Sequence, residues 1–182
     1  QASWVLRKPH VAFTDTEHAT LGNLAFSLFS KVVCTPSCYT GSFGKKQKMF
    51  NSYMELCYLH PNYFTPDPYI LDKLNMAPGE KYVVLRFVSW GATHDVGHSG
   101  ISDKNKILAV KEFSKYAKVF ITSEANLPQE IEQFRIKIPR NEIHHALYYA
   151  EMLYGESATM ASECAVLGTP AIYLDNDGRG YT

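Results

Sequence analysis

Residues 153–173, with the sequence LYGESATMASECAVLGTPAIY, indicate a strand, a tight turn, a helix and a second strand in immediate succession. Gly155 allows the turn to bend sharply and to lie close to a ligand. Gly168 and Pro170 mark the end of the helix. A strand, a helix and another strand packed so closely along a chain are typical of a parallel α/β sheet, so this stretch decides the predicted fold class.

The turn and the start of this helix also carry groups suited to an anionic ligand. Ser157 or Thr159 can cap the helix, whose free N–H groups and positive dipole end suit a phosphate. Glu163 lies about one turn further on, where its carboxylate could accept hydrogen bonds from two ribose hydroxyls. An ordinary helix start with a Ser/Thr cap explains the same residues, so the residues alone leave both interpretations open.

The rest of the chain predicts the same alternation. Short apolar runs predict strands at residues 10–15, 31–35, 81–88 and 119–122. Apolar residues at helical spacing predict helices at residues 18–29, 69–74, 102–116, 127–134 and 141–152. Residues 53–61 look extended, residues 136–139 form a short strand or a connection, and residues 41–48 form either a solvated loop or a mobile cationic loop. Residues 80–174 therefore predict a doubly wound parallel sheet.

The amino-acid composition argues against several classes of protein function. The formal net charge is zero, which gives no general basic field for nucleic acid and no polybasic membrane patch. No apolar run reaches the length of a membrane span. The four cysteines show no disulfide-rich framework, which favours a reducing cytoplasm. Cys34 and Cys38 have no second Cys/His pair at zinc-finger spacing, so no metal site is predicted.

Polar side chains follow the ends of three predicted strands. They are Asp15, Glu17 and His18 after residues 10–15, His94, Asp95 and His98 after residues 81–88, and Ser123 and Glu124 after residues 119–122. Ligands of open α/β sheets bind off the carboxyl ends of strands, where carboxylates and imidazoles can act as acids or bases. Helix capping and ordinary loop structure are the alternative explanations.

The stretch GESATMASECAVLGTPAI resembles the signature of the GT-B superfamily, which includes glycosyltransferases of the lipid II N-acetylglucosaminyltransferase type and non-hydrolysing UDP-N-acetylglucosamine 2-epimerases. Most of the chain resembles a GT-B-like prokaryotic family of unknown function that is often associated with surface-polysaccharide genes. The shared blocks are FTDTEHA (13–19), TPSC (35–38), YLHPNYFTPD (58–67), LRFVSWGATHDVGH (85–98) and FITSE (120–124).

The resemblance implies an α/β fold of GT-B type, with two Rossmann-like lobes built on parallel sheets. Residues 1–64 would form the C-terminal part of the N-terminal lobe, residues 65–75 a linker, and residues 76–182 most of the C-terminal, nucleotide-binding lobe. The chain would then be a fragment of a longer protein.

The resemblance also implies a function: a sugar-nucleotide-dependent glycosyltransferase of surface-polysaccharide synthesis, cytoplasmic and with peripheral membrane contact left open. A 2-epimerase-like enzyme and a non-catalytic sugar-nucleotide-binding or polysaccharide-assembly protein are the alternatives. The substrates would be a nucleotide-sugar, UDP-linked in the related families, and a saccharide or lipid-linked acceptor, with no further cofactor.

The resemblance gives each group of residues a role. The diphosphate would lie on the turn and helix start formed by Gly155, Glu156, Ser157, Ala158 and Thr159, and Glu163 would bind the ribose. The acid–base candidates are Asp15, Glu17, His18, His94 and Asp95, and the candidate sugar contacts are His98, Ser123 and Glu124. The match to the epimerases is approximate, because the Gly and Arg of their acidic E-A-G-x-R segment are absent after residues 10–15.

Overall fold

The computed structural model describes residues 2–88 and 100–175 of the 182-residue chain. Backbone packing divides these residues into two compact units, residues 2–57 and residues 58–175. Each unit combines helices with its own sheet, and every strand pairing in both sheets is parallel. The predicted α/β fold with parallel sheets is therefore confirmed.

The first unit contains a three-stranded sheet in the order β1-β2-β3. Its strands are β1 (Val11–Phe13), β2 (Val32–Pro36) and β3 (Gln47–Phe50). Its helices are α1 (Ala2–Val5) and α2 (Thr20–Phe29), with a 3₁₀ turn at Gly44–Lys46, and α3 (Leu56–Leu59) crosses the boundary to the second unit. The predicted strands at 10–15 and 31–35 and the helix at 18–29 are confirmed to within a few residues.

Of two local predictions for residues 41–61, one is wrong and the other holds for only part of its range. Residues 53–61 are not extended, because α3 lies within them. In the predicted loop at 41–48, residues 41–46 lie outside the strands, but residues 47 and 48 begin β3, whose backbone pairs with β2 along the register Val33↔Gln47 to Pro36↔Phe50. The neighbouring strand supplies the hydrogen-bond partners for this polar segment, so tertiary pairing overrides its local composition.

The second unit contains a four-stranded sheet in the order β5-β4-β6-β7. Its strands are β4 (Tyr82–Phe87), β5 (Lys118–Ser123), β6 (Met152–Gly155) and β7 (Ala171–Tyr173). Its helices are α4 (Tyr69–Lys73), α5 (Asp103–Phe113), α6 (Ile143–Tyr149) and α7 (Ala158–Leu167). The chain proceeds from β4 to β5 on one side and then to β6 on the other, so the topological switch point lies between β4 and β6.

Side chains of β4 alternate between two cores, one on each face of this sheet. Val83, Leu85 and Phe87 pack with residues of α5 and β5 on one face, and Tyr82 and Val84 pack with α4, α6 and α7 on the other. The predicted linker at 65–75 includes α4, which contributes to the second of these cores through buried residues. Both faces of β4 are covered, which is why this strand reads as a continuous apolar run.

Two helix predictions in the second unit need correction. Only a 3₁₀ turn, Glu132–Phe134, forms within the predicted helix at 127–134. The next residues are drawn into extended pairing with β5 by the bridge between Ile121 and Arg135. The predicted helix at 141–152 is shortened to α6, because Met152 pairs with Val83 as the first residue of β6.

The described helices are short. The longest of them, α5, has 11 residues, whereas a membrane span needs about 20. Within residues 2–88 and 100–175, no helix is both long enough and apolar enough to cross a membrane.

The four cysteines are free thiols with different environments. Burial raises the pKa of the Cys164 thiol in α7 to about 12, whereas Cys57 is exposed. Because the thiolate is the reactive form, iodoacetamide at pH 8 should alkylate Cys57 in the folded protein and leave Cys164 unmodified. Peptide mass spectrometry checks this result, and urea-unfolded protein, in which Cys164 should react, is the control. Rapid labelling of Cys164 in the folded chain would contradict its burial.

Candidate functional site

The stretch at residues 153–173 folds as the sequence predicts, into β6, a turn, α7 and β7. Ser157 caps α7, because its hydroxyl oxygen accepts a hydrogen bond from the Met160 backbone N–H at 3.3 Å. Gly168 ends the helix in the left-handed conformation, with φ of 83°. The first turn of α7, with Ala158 and Thr159, therefore starts at the carboxyl end of β6, beside the switch point of the sheet.

The backbone of Gly155 lies very close to the backbone of the neighbouring strand β4. It pairs with Arg86 of β4 and has φ of 156°. A Cβ atom at this position would lie 2.1 Å from the Arg86 carbonyl oxygen, which is far inside any real contact. The structure thus gives Gly155 a role in the close packing of β6 against β4.

The Glu156 side chain points into the protein interior. It is buried, and its carboxylate accepts hydrogen bonds from the backbone N–H of Val88 at 3.2 Å and of Ile101 at 2.6 Å. Val88 directly follows β4, and Ile101 precedes α5. Glu156 therefore fixes the backbone at both of these positions, a use of the carboxylate that the predicted diphosphate contact did not foresee.

Glu163 is buried and contacts two partners that are distant in sequence, the exposed Tyr58 and the partly exposed His144. Its Oε1 accepts a hydrogen bond from the Tyr58 hydroxyl at 2.9 Å and lies 2.9 Å from Nε2 of His144. The Tyr58 and His144 rings also contact each other, with centroids 5.5 Å apart. The contacts of Glu163 with Tyr58 and His144 both use Oε1. A hydrogen bond to the other oxygen, Oε2, is absent within residues 2–88 and 100–175, so it could accept one from a ligand hydroxyl.

No local sequence pattern identifies these two partners of Glu163. Tyr58 lies 105 residues from Glu163, and His144 is one of two consecutive histidines at the start of α6. The other, His145, stacks on Phe64 and accepts a hydrogen bond at Nδ1 from the Asp67 N–H. Which histidine faces Glu163 depends on how α6 is rotated against α7, and that is set by packing.

A cleft of about 490 Å³ lies beside these residues in the second unit. It opens at the carboxyl ends of β4 and β5, between the start of α6 and the start of α7. Its lining residues are Arg86, Ile121, Thr122, Ser123, Glu124, Arg135, Ile136, Ile138, Pro139, Arg140, Ile143 and Met160. Ser123 and Glu124, the predicted sugar contacts, are among them.

Three guanidinium groups and one carboxylate give the cleft a positive balance. Arg86 forms an ion pair with Glu124 and donates to the Thr122 hydroxyl at 2.9 Å. Arg135 is paired with Glu132, and this hydrogen bond raises the pKa of Arg135 and lowers the pKa of Glu132. Arg140 is exposed, and within the described part of the chain its side chain has no hydrogen bond or ion pair. One cation is therefore available at the rim.

The segment that follows β5 gives the cleft an apolar wall. Ile136, Ile138 and Pro139 line the cleft with apolar surface. Their position follows from the bridge between Ile121 and Arg135 and from the hydrogen bond that the Ile136 N–H donates to the Ile121 carbonyl at 2.8 Å. The cleft thus combines an apolar wall with cationic groups, which suits a ligand that has a flat apolar part and an anionic part.

The predicted acid–base residues Asp15, Glu17 and His18 lie in the first unit, at the carboxyl end of β1. Glu17 Oε1 accepts hydrogen bonds from the Thr40 N–H at 3.2 Å and the Thr40 hydroxyl at 3.4 Å. Its Oε2 is buried without a partner among the described residues. Burial, together with the nearby Glu17 charge, raises the pKa of the Tyr39 hydroxyl.

The local framework of this cluster is held by a buried asparagine. Asn23, on α2, donates to the Thr16 carbonyl oxygen at 2.8 Å and to the Glu17 carbonyl oxygen at 3.4 Å. Asp15 accepts a hydrogen bond from the Thr16 hydroxyl at 3.1 Å. Asn23 was not among the predicted residues, although an amide side chain between apolar positions of α2 was a signal that could have found it.

The third group of predicted residues, His94, Asp95 and His98, lies outside the described residues. Within residues 2–88 and 100–175, no three His, Cys, Asp or Glu side chains are grouped as metal ligands would be.

Neither the comparison with models of known protein families nor the comparison with curated proteins finds a match for this chain. The functional interpretation therefore depends on the geometry of the cleft and on the motifs that the sequence itself carries.

Proposed function

We propose that the second unit binds the nucleoside diphosphate part of a nucleotide-sugar, and that the protein is a sugar-nucleotide-dependent glycosyltransferase of GT-B type. The observation that carries this proposal is the cleft at the carboxyl edge of the sheet, with an apolar wall, three arginines and the capped start of α7 at its border. Its position agrees with the rule that open α/β sheets bind ligands off the carboxyl ends of their strands.

The base, the diphosphate and the ribose of a nucleotide can each be matched to residues in or beside the cleft. The apolar wall of Ile136, Ile138 and Pro139 suits a planar base. The Arg140 guanidinium and the free N–H groups of the first turn of α7 suit the diphosphate. The Oε2 atom of Glu163 suits a ribose hydroxyl. When the sugar is transferred, negative charge develops on the leaving diphosphate, and such preorganised donors stabilise it.

A GT-B fold requires a second lobe in addition to this nucleotide-binding unit. Two α/β units with separate parallel sheets support it, together with the resemblance of residues 153–173 to the GT-B signature. Within the first unit, the Glu17 carboxylate has a buried oxygen without a described partner, as a candidate base requires before substrate binds.

The binding step is tested by replacing Arg140, which has no structural partner in the described residues. Calorimetric titration of the chain with UDP, GDP, CMP and their sugars should identify one nucleotide that binds. Arg140→Gln should weaken that binding by about tenfold, because a charge-assisted contact to phosphate is lost.

Lys137→Gln is the matched control, because Lys137 is exposed in the same segment and does not line the cleft. It removes the same charge and should leave the affinity unchanged. Binding of no nucleotide, or equal weakening by the two variants, would contradict the proposal.

Turnover then separates the enzyme classes. Transfer of the sugar only when an acceptor is added is the result expected for a glycosyltransferase. Epimerisation of the sugar-nucleotide without an acceptor would indicate the 2-epimerase alternative, and nucleotide binding without turnover would indicate a binding protein.

A further inference from the structure

Arg86 occupies an unusual position for a charged residue. It lies in β4, an interior strand of the sheet, and its side chain is only 15% exposed. It pairs with Thr122 on one side and with Gly155 on the other. Its side chain forms part of the cleft lining.

The hydrogen bonds of this guanidinium are incomplete. Nη1 donates to the Thr122 hydroxyl and Nη2 to one oxygen of Glu124, whereas Nε is buried and has no partner among the described residues. A guanidinium can engage an anion through two parallel N–H groups. Glu124 accepts from Nη2 alone. It therefore neutralises the charge of Arg86 but leaves the Nε–H group without an acceptor among the described residues.

Glu124 and Arg86 differ in their freedom to move. The Glu124 side chain is 53% exposed and follows the end of β5, whereas Arg86 is held within the sheet. The backbone around Glu124 is fixed, because Arg135 donates to the carbonyl oxygens of Ser123 at 3.1 Å and Ala125 at 3.3 Å. The Glu124 carboxylate can therefore leave Arg86 by rotation of its side chain, without a shift of this backbone.

We propose that the Glu124 carboxylate is an internal competitor for the anion site of the cleft, and that a phosphoryl group of the ligand displaces it from Arg86. This inference deepens the proposed function and rests on it for the identity of the full ligand. In the free protein Glu124 neutralises Arg86. In the bound protein a phosphoryl oxygen takes its place, and the Glu124 side chain rotates into solvent.

This exchange has two consequences. It keeps the buried arginine paired in both states, which avoids the large destabilisation caused by an uncompensated buried charge. It also lowers the affinity for phosphoryl anions, because part of the ligand's interaction replaces one that already exists. The ligand must therefore contribute further contacts, from a base and a ribose, before it binds tightly.

Inorganic pyrophosphate is the probe, since it carries the anionic group without base or ribose. Calorimetric titration should show pyrophosphate binding to Glu124→Gln roughly tenfold more tightly than to the unmodified chain, a typical size for coupling between competing groups. Glu124→Asp should also bind it more tightly, because the shorter side chain reaches Arg86 poorly while the net charge is unchanged. It provides the test if Glu124→Gln fails to fold.

Glu130→Gln is the control for the change in net charge, because Glu130 is exposed and does not line the cleft. It should leave pyrophosphate affinity unchanged. Unchanged or weaker binding in both Glu124 variants would overturn the exchange, and so would the absence of pyrophosphate binding in every protein.

Titration with UDP, GDP and CMP distinguishes the two proposals. If none of them binds but pyrophosphate shows the expected pattern, the nucleotide-sugar function fails and the exchange remains. If one of them binds but the Glu124 variants do not differ from the unmodified chain, the function remains and the exchange fails.

Discussion

Replacement of Gly155 by alanine is expected to lower the free energy of unfolding of the second unit by about 3 kcal/mol or more. The added Cβ would lie 2.1 Å from the Arg86 carbonyl oxygen and 2.8 Å from the Arg86 nitrogen. Both atoms belong to the backbone of strand β4, so no side chain can rotate to make room. Strand β6 would have to move away from β4, which would disturb the pairing of both strands.

Urea denaturation of the full chain, followed by circular dichroism, measures this effect. Gly168→Ala is the matched control, because Gly168 also has a positive φ, of 83°, but its added Cβ would meet nothing within 4 Å. It should lose only about 1 kcal/mol, the conformational cost of alanine there. If the two variants were equally stable, close strand contact would not be the reason for glycine at position 155.

Replacement of Glu156 by alanine is expected to lower the free energy of unfolding by about 3 kcal/mol, since two hydrogen bonds to a charged acceptor are lost. The backbone N–H groups of Val88 and Ile101 would lose this acceptor in partly buried surroundings. Glu156→Gln should have a smaller effect, because its amide oxygen can still accept one of the two bonds.

Amide hydrogen exchange provides a readout specific to this contact. Protection at Val88 and Ile101 should fall in Glu156→Ala, and the denaturation midpoint should fall with it. Glu151→Ala is the control, because Glu151 forms an exposed ion pair with Lys81, a kind of pair that contributes about 1 kcal/mol at most. Unchanged exchange at Val88 and Ile101 would show that Glu156 does not anchor these positions.

The local chemistry of the α7 region was readable from sequence, because every signal in it acts over a few residues. The Ser157 cap and the glycine at the end of the helix depend on backbone groups within four positions. The β4 strand was equally readable, since burial on both faces leaves an unbroken apolar run. Predictions failed at β3 and at residues 127–134, where the partner strand comes from another part of the chain.

The sequence by itself determined the alternation of strands and helices, the parallel α/β class and the ends of α7, because these depend on local periodicity and hydrogen bonding. Only the tertiary structure decided the uses of Glu156 and Glu163. Both were predicted as ligand contacts, and both are bonded to groups between 19 and 105 residues away. Similarly, the pairing of Arg86 with Glu124 follows from strand register and strand order, which bring together residues that no local pattern connects.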